Sequence, residues 1–290
     1  LKPAAFDYHA PETANEAADL LADLGDGAKV LAGGQSLIPM LSLRLTAFEH
    51  LVDVGRIRDL TGIARENGTV VIGAMTTDAA VGASAEVASA LPLVARATPL
   101  IGHFQIRNRG TLGGSIAHAD PAAEYPAVAL ALDAEMDTLS RRGPRRVAAA
   151  DFFTGFWSTS LGDDELLTAV RFPVWSGRSG FAVREFARRH GDFAVAGAAV
   201  AVQLDADDRI ERCAIALFGL GSTPLRATAA EAAARGQGRD LGADEVGRLA
   251  VSELTDVPAD LHGSAAYRTR VGAAMVGRAW NDAMGEATNA

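Results

Sequence analysis

The 290 residues are 49% hydrophobic and 22% charged, a balance that suits a soluble chain with two modest cores rather than one. A formal net charge of −9 repels phosphate backbones, and no basic stripe interleaved with aromatics offsets it, which excludes nucleic acid as a partner. The one cysteine, Cys213, lies in an apolar run, so disulfides and iron–sulfur ligation within this chain are excluded and any metal redox chemistry must come from another polypeptide. The opening residues, Leu1 to Asp7, hold no apolar run of signal-peptide length, and Gly, Arg or Asp interrupts each later apolar stretch. A cytoplasmic protein without a membrane span is expected.

Thr13 and Glu16 form a capping box ahead of Ala17 to Leu21, and Gly25 ends that helix. A strand over Lys29–Ala32 runs into Gly33-Gly34-Gln35-Ser36, with Ser36 as N-cap of a helix that tolerates Pro39 in its first turn. The strand His50–Val54 closes this small α/β unit near Arg58. A further strand, Thr69–Gly73, precedes Thr76-Thr77-Asp78, a helix cap. From Ser84 to Leu100 the pattern is helical and broken at Pro92 and Pro99. Arg107 to Ser115 reads as a second glycine turn, carrying Gly113-Gly114, and Ile116 to Pro121 follow. A helix over Ala122–Leu132 and strands near Glu135–Ser140, Arg145–Ala148 and Leu166–Phe172 complete the first half.

Pro173 to Gly180 is the best linker in the sequence. Beyond it, the runs Phe181–Phe186, Ala194–Leu204 and Ile210–Gly219 are spaced for antiparallel pairing, with Asp205 to Asp208 as a turn. After Thr223-Pro224 the chain is helical and ends in an amphipathic stretch, Ser264–Met284. No repeat of 20 to 50 residues is present, and an α+β second domain is expected.

Two glycine pairs ending in serine suit a diphosphate, because glycine lets backbone N–H groups come close to phosphate oxygens and a hydroxyl adds a donor. Either pair alone could equally be a tight turn. Neither has Rossmann or P-loop spacing, which removes the main support for ordinary NAD or ATP binding. His118 with Asp120 lacks a third metal ligand at workable spacing and reads as a loop beside the second turn. His190 near Asp192 reads as a solvated loop rather than an acid–base pair, and Arg141 to Arg146 as a charged hairpin tip, with subunit contact as a lesser reading.

Taken together, Ala32 to Pro39, Leu51-Val52-Asp53, Ile72 to Thr77 and Arg109 to Pro121 resemble the FAD-binding medium subunit of the molybdenum hydroxylase superfamily, which includes xanthine dehydrogenase and carbon monoxide dehydrogenase. Arg184 to Val200 and His262 to Arg268 extend the resemblance over essentially the whole chain. It implies an α+β fold: a two-part FAD-binding domain of the vanillyl-alcohol-oxidase (PCMH) type over residues 1–175, with subdomains of about 1–58 and 59–175. A C-terminal domain with a three-stranded antiparallel sheet would follow over 176–290.

By the same resemblance, Ala32, Gly33, Gly34, Gln35, Ser36, Leu37 and Ile38 would hold the FAD diphosphate and ribitol together with Thr111, Gly113, Gly114, Ser115 and Ala117. Ile101 would pack near the cofactor, Glu124 would accept a hydrogen bond from its adenosine part, and Leu167 and Arg184 would reach toward the flavin. Phe193 would cover one face of the isoalloxazine ring. No residue of this chain is assigned as catalytic or metal-binding. The implied partners are a large subunit with a molybdenum cofactor and a small subunit with two [2Fe-2S] clusters, in a dimer of heterotrimers. The large subunit would act on an N-heterocycle, an aromatic compound or carbon monoxide, and electrons would leave this chain to quinone, NAD or oxygen. The competing readings are a self-sufficient flavin oxidoreductase of the same fold and a cofactor-free assembly subunit.

Overall fold

A computed structural model of the chain describes residues 2–238 and 241–290. The first unit comprises β1 (Asp7–His9), α1 (Ala14–Leu24), β2 (Ala28–Leu31), α2 (Leu37–Ser42) and β3 (His50–Asp53), whose strands form a parallel sheet in the order β1-β3-β2. The capping box forms as the sequence suggests. The Glu16 amide donates to Thr13 Oγ1 and the Glu16 carboxylate accepts from the Thr13 amide, while Gly25, at φ 63°, stops the helix. Ala17 and Leu21 on α1 pack on Val52 and Val54, and Leu166 from the following unit joins that core. The short β1 lies outside the sequence expectation. Its three residues carry no internal periodicity, and the strand exists through its pairing with β3.

The second unit contains β4 (Ile63–Glu66), β5 (Thr69–Gly73), α3 (Asp78–Ala83), α4 (Ala85–Ala90), α5 (Pro92–Ala97), α6 (Phe104–Arg107), α7 (Leu112–His118) and α8 (Glu124–Ala131). It continues with β6 (Glu135–Ser140), β7 (Gly143–Ala148), α9 (Ala149–Phe152), β8 (Phe153–Gly155), β9 (Ser158–Thr159) and β10 (Leu166–Pro173). An antiparallel sheet in the order β4-β5-β10-β6-β7 forms one layer, with α5, α7 and α8 buried against it. Pro92 starts α5, where its missing N–H costs nothing. Arg141 and Arg142 form the charged tip of the β6–β7 hairpin, and both are ion-paired. Arg141 donates to Asp19 at 2.9 Å and Asp23 at 2.7 Å on α1, tying the two units together, and Arg142 pairs with Asp164.

The expected linker is mostly strand and core. β10 runs through Pro173, β11 (Arg178–Phe186) begins five residues later, and Trp175 between them is buried with the Arg212 guanidinium 4.0 Å above its ring. β11, β12 (Ala196–Leu204) and β13 (Ile210–Phe218) form the antiparallel meander read from the sequence. A two-residue β14 (Leu225–Arg226) adds a fourth strand to the three expected, too short to leave a sequence signal. Then come α10 (Thr228–Ala234), α11 (Ala243–Ala250) and α12 (Ala265–Asn289), the last capped by Ser264.

Both faces of this sheet are apolar, which is why β12 reads as continuous alanine and valine rather than as an alternation. Phe181, Ala199, Ala201, Ala214 and Ala216 join the core of the second unit, whereas Ala182, Ala198, Val200 and Ile215 pack with Trp280 of α12. Among the described residues no helix is long and apolar enough to cross a membrane.

Arg96 on α5 clamps β11 to α12. It donates to the Phe181 carbonyl and forms a two-pronged pair with Glu286 at 2.6 and 2.7 Å, while Glu286 accepts from the Phe181 amide. Burial pushes the Glu286 carboxyl up, but the Arg96 hydrogen bond, the Phe181 amide and the Arg96 charge together outweigh it and hold the group below the ordinary carboxylate range. The clamp therefore contributes above the unfolded pKa and is lost as pH falls through the folded one. Because the pair is partly exposed, Arg96→Ala should cost only about 1 kcal/mol in urea unfolding at pH 7, with the difference vanishing at acid pH.

Candidate functional site

The loop from Ala32 to Ser36 leaves the end of β2 and enters α2. Gly34 sits at φ 73°, a left-handed conformation that glycine adopts without strain. Among the described residues, the amides of Gly33, Gly34, Gln35, Ser36 and Leu37 donate to no protein acceptor. Five consecutive amides without partners in a half-buried loop form a cradle for an anion. Ser36 occupies the N-cap position of α2 but does not cap it. Its backbone is already right-handed, at φ −101° and ψ −48°, so its hydroxyl is left for another partner. The Gln35 side chain donates from Nε2 back to the Gly33 carbonyl at 3.0 Å, shaping the loop from within.

The second glycine pair is not a turn. Gly113 and Gly114 lie in the first turn of α7, which Thr111 caps by accepting from the Gly114 amide at 3.1 Å. The Leu112 amide donates to Thr76, that of Gly113 to Ala74 and that of Ser115 to the Thr111 carbonyl. The amides of Gly113, Gly114 and Ser115, expected to cradle a diphosphate, are thus spent inside the protein, and Thr111 is buried in its capping role. The Ser115 hydroxyl, without a protein partner among the described residues, is the remaining donor of this segment. What needs glycine here is contact: a Cβ on Gly113 would overlap Ala74, and one on Gly33 would overlap the Arg109 carbonyl and the Gly110 Cα. A Cβ on Gly114 would come 3.4 Å from that of Ala32. The two glycine segments therefore lie against each other, with one supplying the free amides and the other the wall behind them.

Around this junction, Leu37 and Ala117 are half-buried and Ile38 is exposed. Leu167 is buried on β10, and Ile101 packs on the main core while its carbonyl accepts from Arg107 at 2.9 Å. Gly191 abuts Gly102 and His103, which docks the 187–194 loop beside Ile101 and leaves Phe193 exposed at its end.

Arg184 does not reach toward this region. Strand alternation turns it to the α12 face, where Nε meets Asp282 at 2.6 Å, and turns Glu185 inward with Phe181 and Val183. One buried oxygen of Glu185 has no hydrogen-bond partner among the described residues, and the same holds for one oxygen of Asp78. Glu124, at the start of α8, is 6% exposed and makes no side-chain hydrogen bond to another residue. Burial, with repulsion from Glu185, raises its pKa to about 8; burial raises Glu185 to about 7, and Asp78 to about 7 against the opposing pull of Arg107. Sequence reasoning missed Asp78 and Glu185. Asp78 stands where a helix-capping acid is ordinary, and a strand apolar on both faces gives no phase from which to tell Glu185 from Arg184.

The two histidine pairings do other work. His118 stacks on Trp157 at 5.9 Å, and the Trp157 indole donates to Asp120 at 3.0 Å, so His118 and Asp120 brace the β8–β9 hairpin against α7. His190 lies 6.1 Å from His103 in an exposed loop.

A bound FAD fits this set of groups. Its diphosphate matches the five free amides and the hydroxyls of Ser36 and Ser115.

Residues 4–175 match the family described as the FAD binding domain in molybdopterin dehydrogenase, and residues 181–283 match the CO dehydrogenase flavoprotein C-terminal domain. The chain is 41% identical over 281 residues to the 6-hydroxypseudooxynicotine dehydrogenase complex subunit alpha of Paenarthrobacter nicotinovorans, covering 96% of this chain and 94% of that one. It is 40% identical to the carbon monoxide dehydrogenase medium chain of Hydrogenophaga pseudoflava, over 97% and 98% of the two chains. Its fold superimposes on the carbon monoxide dehydrogenase structure from Hydrogenophaga pseudoflava with a TM-score of 0.95 at 40% identity, covering 99% of each chain. It also superimposes on quinoline 2-oxidoreductase from Pseudomonas putida 86, with a TM-score of 0.93 at 34% identity and 99% coverage of each.

Proposed function

Because the chain belongs to the family of FAD-binding medium subunits of molybdenum-dependent dehydrogenases, we propose that it is the flavoprotein subunit of such an enzyme and passes electrons through FAD between partner subunits and an external acceptor. The observation that carries this reading is the run of unpartnered amides at Gly33 to Leu37, walled by Gly113-Gly114. FAD supplies a redox group that exchanges electrons singly or in pairs. The chain's own residues bind and orient it. The first loop holds the diphosphate, and Ser36 and Ser115 add hydroxyl donors. Ala32, Leu37, Ile38 and Ala117 shape the wall, with Ile101 and Leu167 as its apolar floor. Glu124 accepts a hydrogen bond from the adenosine part of the cofactor, and Phe193 covers one ring face.

The relatives are named for carbon monoxide, caffeine, nicotine and quinoline chemistry, so substrate choice in this reading resides outside the chain, in a large molybdenum subunit. A small subunit with two [2Fe-2S] clusters delivers the electrons within a cytoplasmic dimer of heterotrimers, and quinone, NAD or oxygen removes them. The purified chain is expected to bind one FAD and to oxidise no organic substrate by itself. Substrate turnover by the metal-free single chain would overturn the reading in favour of a self-sufficient oxidoreductase, and failure to take up FAD would overturn it in favour of an assembly subunit. Gly34→Val should emerge flavin-free, because valine at φ 73° is strained and its Cβ would crowd Ile38 at 3.0 Å and Leu31 at 3.2 Å; flavin absorbance per chain measures this.

A further inference from the structure

We propose that Arg107 is a positioning residue: its guanidinium gathers the bend at residues 99–102 into a seat on which the 187–194 loop of the C-terminal half docks. The consequence for a bound flavin rests on the flavoprotein reading, whereas the docking itself does not.

Three backbone carbonyls converge on one nitrogen. Arg107 Nη1, at the end of α6, donates to the carbonyls of Ile101 and Gly102 at 2.9 Å each and to that of Pro99 at 3.4 Å. Carbonyl dipoles aimed at a single point repel one another unless a positive donor stands there, and a charged donor holds them more strongly than a neutral one. Gly102 stands within this bend at φ 51°, in the left-handed region, where a Cβ would come 3.1 Å from Ile106. The half-buried Arg107 is also the cation that acts on the buried side chains of Asp78 and Tyr125.

The far side of the bend meets the other half of the chain. Gly191, at φ 85°, lies so close that a Cβ there would come 2.9 Å from the His103 ring and 3.1 Å from the Gly102 carbonyl carbon. The His190 ring beside it is centred 6.1 Å from that of His103. The other bonds of this loop stay within the C-terminal half: the Val195 amide donates to the Phe186 carbonyl at 2.8 Å, and Arg188 meets the His262 ring at 3.0 Å. The bend carries Ile101 and the loop carries Phe193, both apolar side chains that no directional bond can hold. Their spacing therefore depends on the backbone contact that Arg107 fixes from behind.

Brief trypsin digestion of the full-length chain tests the docking, because Arg188 and Arg189 lie in the loop and Arg235, in the exposed turn after α10, serves as internal control. Arg107→Met, which keeps the aliphatic stem, should raise cleavage after Arg188 and Arg189 about tenfold while cleavage after Arg235 stays at the parental rate. Arg107→Lys, which keeps the charge and a donor, should stay within about threefold of the parent. Gly191→Ala, strained at φ 85° and crowding His103, should raise the same cleavage, and adding Arg107→Met to it should change the rate less than about twofold. With FAD bound, iodide should quench flavin fluorescence about threefold more strongly in Arg107→Met than in the parent or Arg107→Lys. The proposal is overturned by cleavage in Arg107→Met within about twofold of the parent, by an equal rise after Arg235, by fully multiplicative effects in the double variant, or by unchanged iodide quenching. If the parent took up no FAD, the flavoprotein reading would fall and the cleavage rates would still decide the docking.

Discussion

Gly33→Ala is expected to yield a chain that retains no flavin and is about 2–3 kcal/mol less stable in urea, although only one methyl group is added. Gly33 is not among the positive-φ glycines, so the expected cost is not conformational. It comes from the Arg109 carbonyl and Gly110 Cα, which occupy the space a Cβ would need. Both obstacles are backbone, and Gly110 is itself held by its amide on Ile106 and its carbonyl on the Asp78 amide, so the clash cannot be relieved by a rotamer change. Either the cradle loop or the 106–111 segment has to move, and each movement separates the free amides from the wall that completes the site. Gly285→Ala is the matched control: nothing lies within 4 Å of its Cβ position and it sits inside α12, so alanine should stabilise by about 1 kcal/mol. Urea midpoints and flavin absorbance per chain check both. If Gly33→Ala kept full flavin occupancy at parental stability, contact between the two loops would not be what organises the cradle.

The same residues show how much of the fold and the site could be read from the sequence. Elements with their own local signal are found close to where that signal puts them: the Thr13 capping box, the strand Thr69–Gly73, the proline-broken helices after Ser84 and the meander from Phe181. β1, which exists only through pairing with the distant β3, and β14, two residues paired with the end of β13, left no trace in composition. Glycine spacing identified both segments of the site but not what each does. Gly33-Gly34 and Gly113-Gly114 look alike as residues, and only the destinations of their amides separate a cradle from a capped helix. Glu185 was hidden for a related reason. Ala182 and Val183 are apolar on opposite faces of β11, so the inward phase is set by what packs on each side and not by hydropathy.

Raising the pH should destabilise the flavin-free chain well before ordinary alkaline unfolding. Asp78 and Glu124 are almost wholly buried with folded pKa values of about 7 and about 8, far above ordinary carboxyls. Between the unfolded and folded values the native state holds more protons than the unfolded one, so each group contributes stability that is complete below its unfolded pKa and drains away as pH rises through the folded pKa. The slope is up to roughly 1.4 kcal/mol per pH unit for each group in that window, so the fall from pH 5 to pH 8 should amount to a few kcal/mol. The depressed carboxyls, Glu165 held by Arg145, Asp260 held by Arg268, and Glu286, act in the opposite sense, and only as pH falls through their folded values. Stability of the flavin-free chain should therefore peak near pH 5, below the usual neutral range. Asp78→Asn and Glu124→Gln should each flatten the descending limb. Urea unfolding at half-unit pH steps, with and without saturating FAD, measures all of this. A parent curve that is flat or rising between pH 5 and pH 8 would mean that these carboxyls are ionised and solvated in the native state.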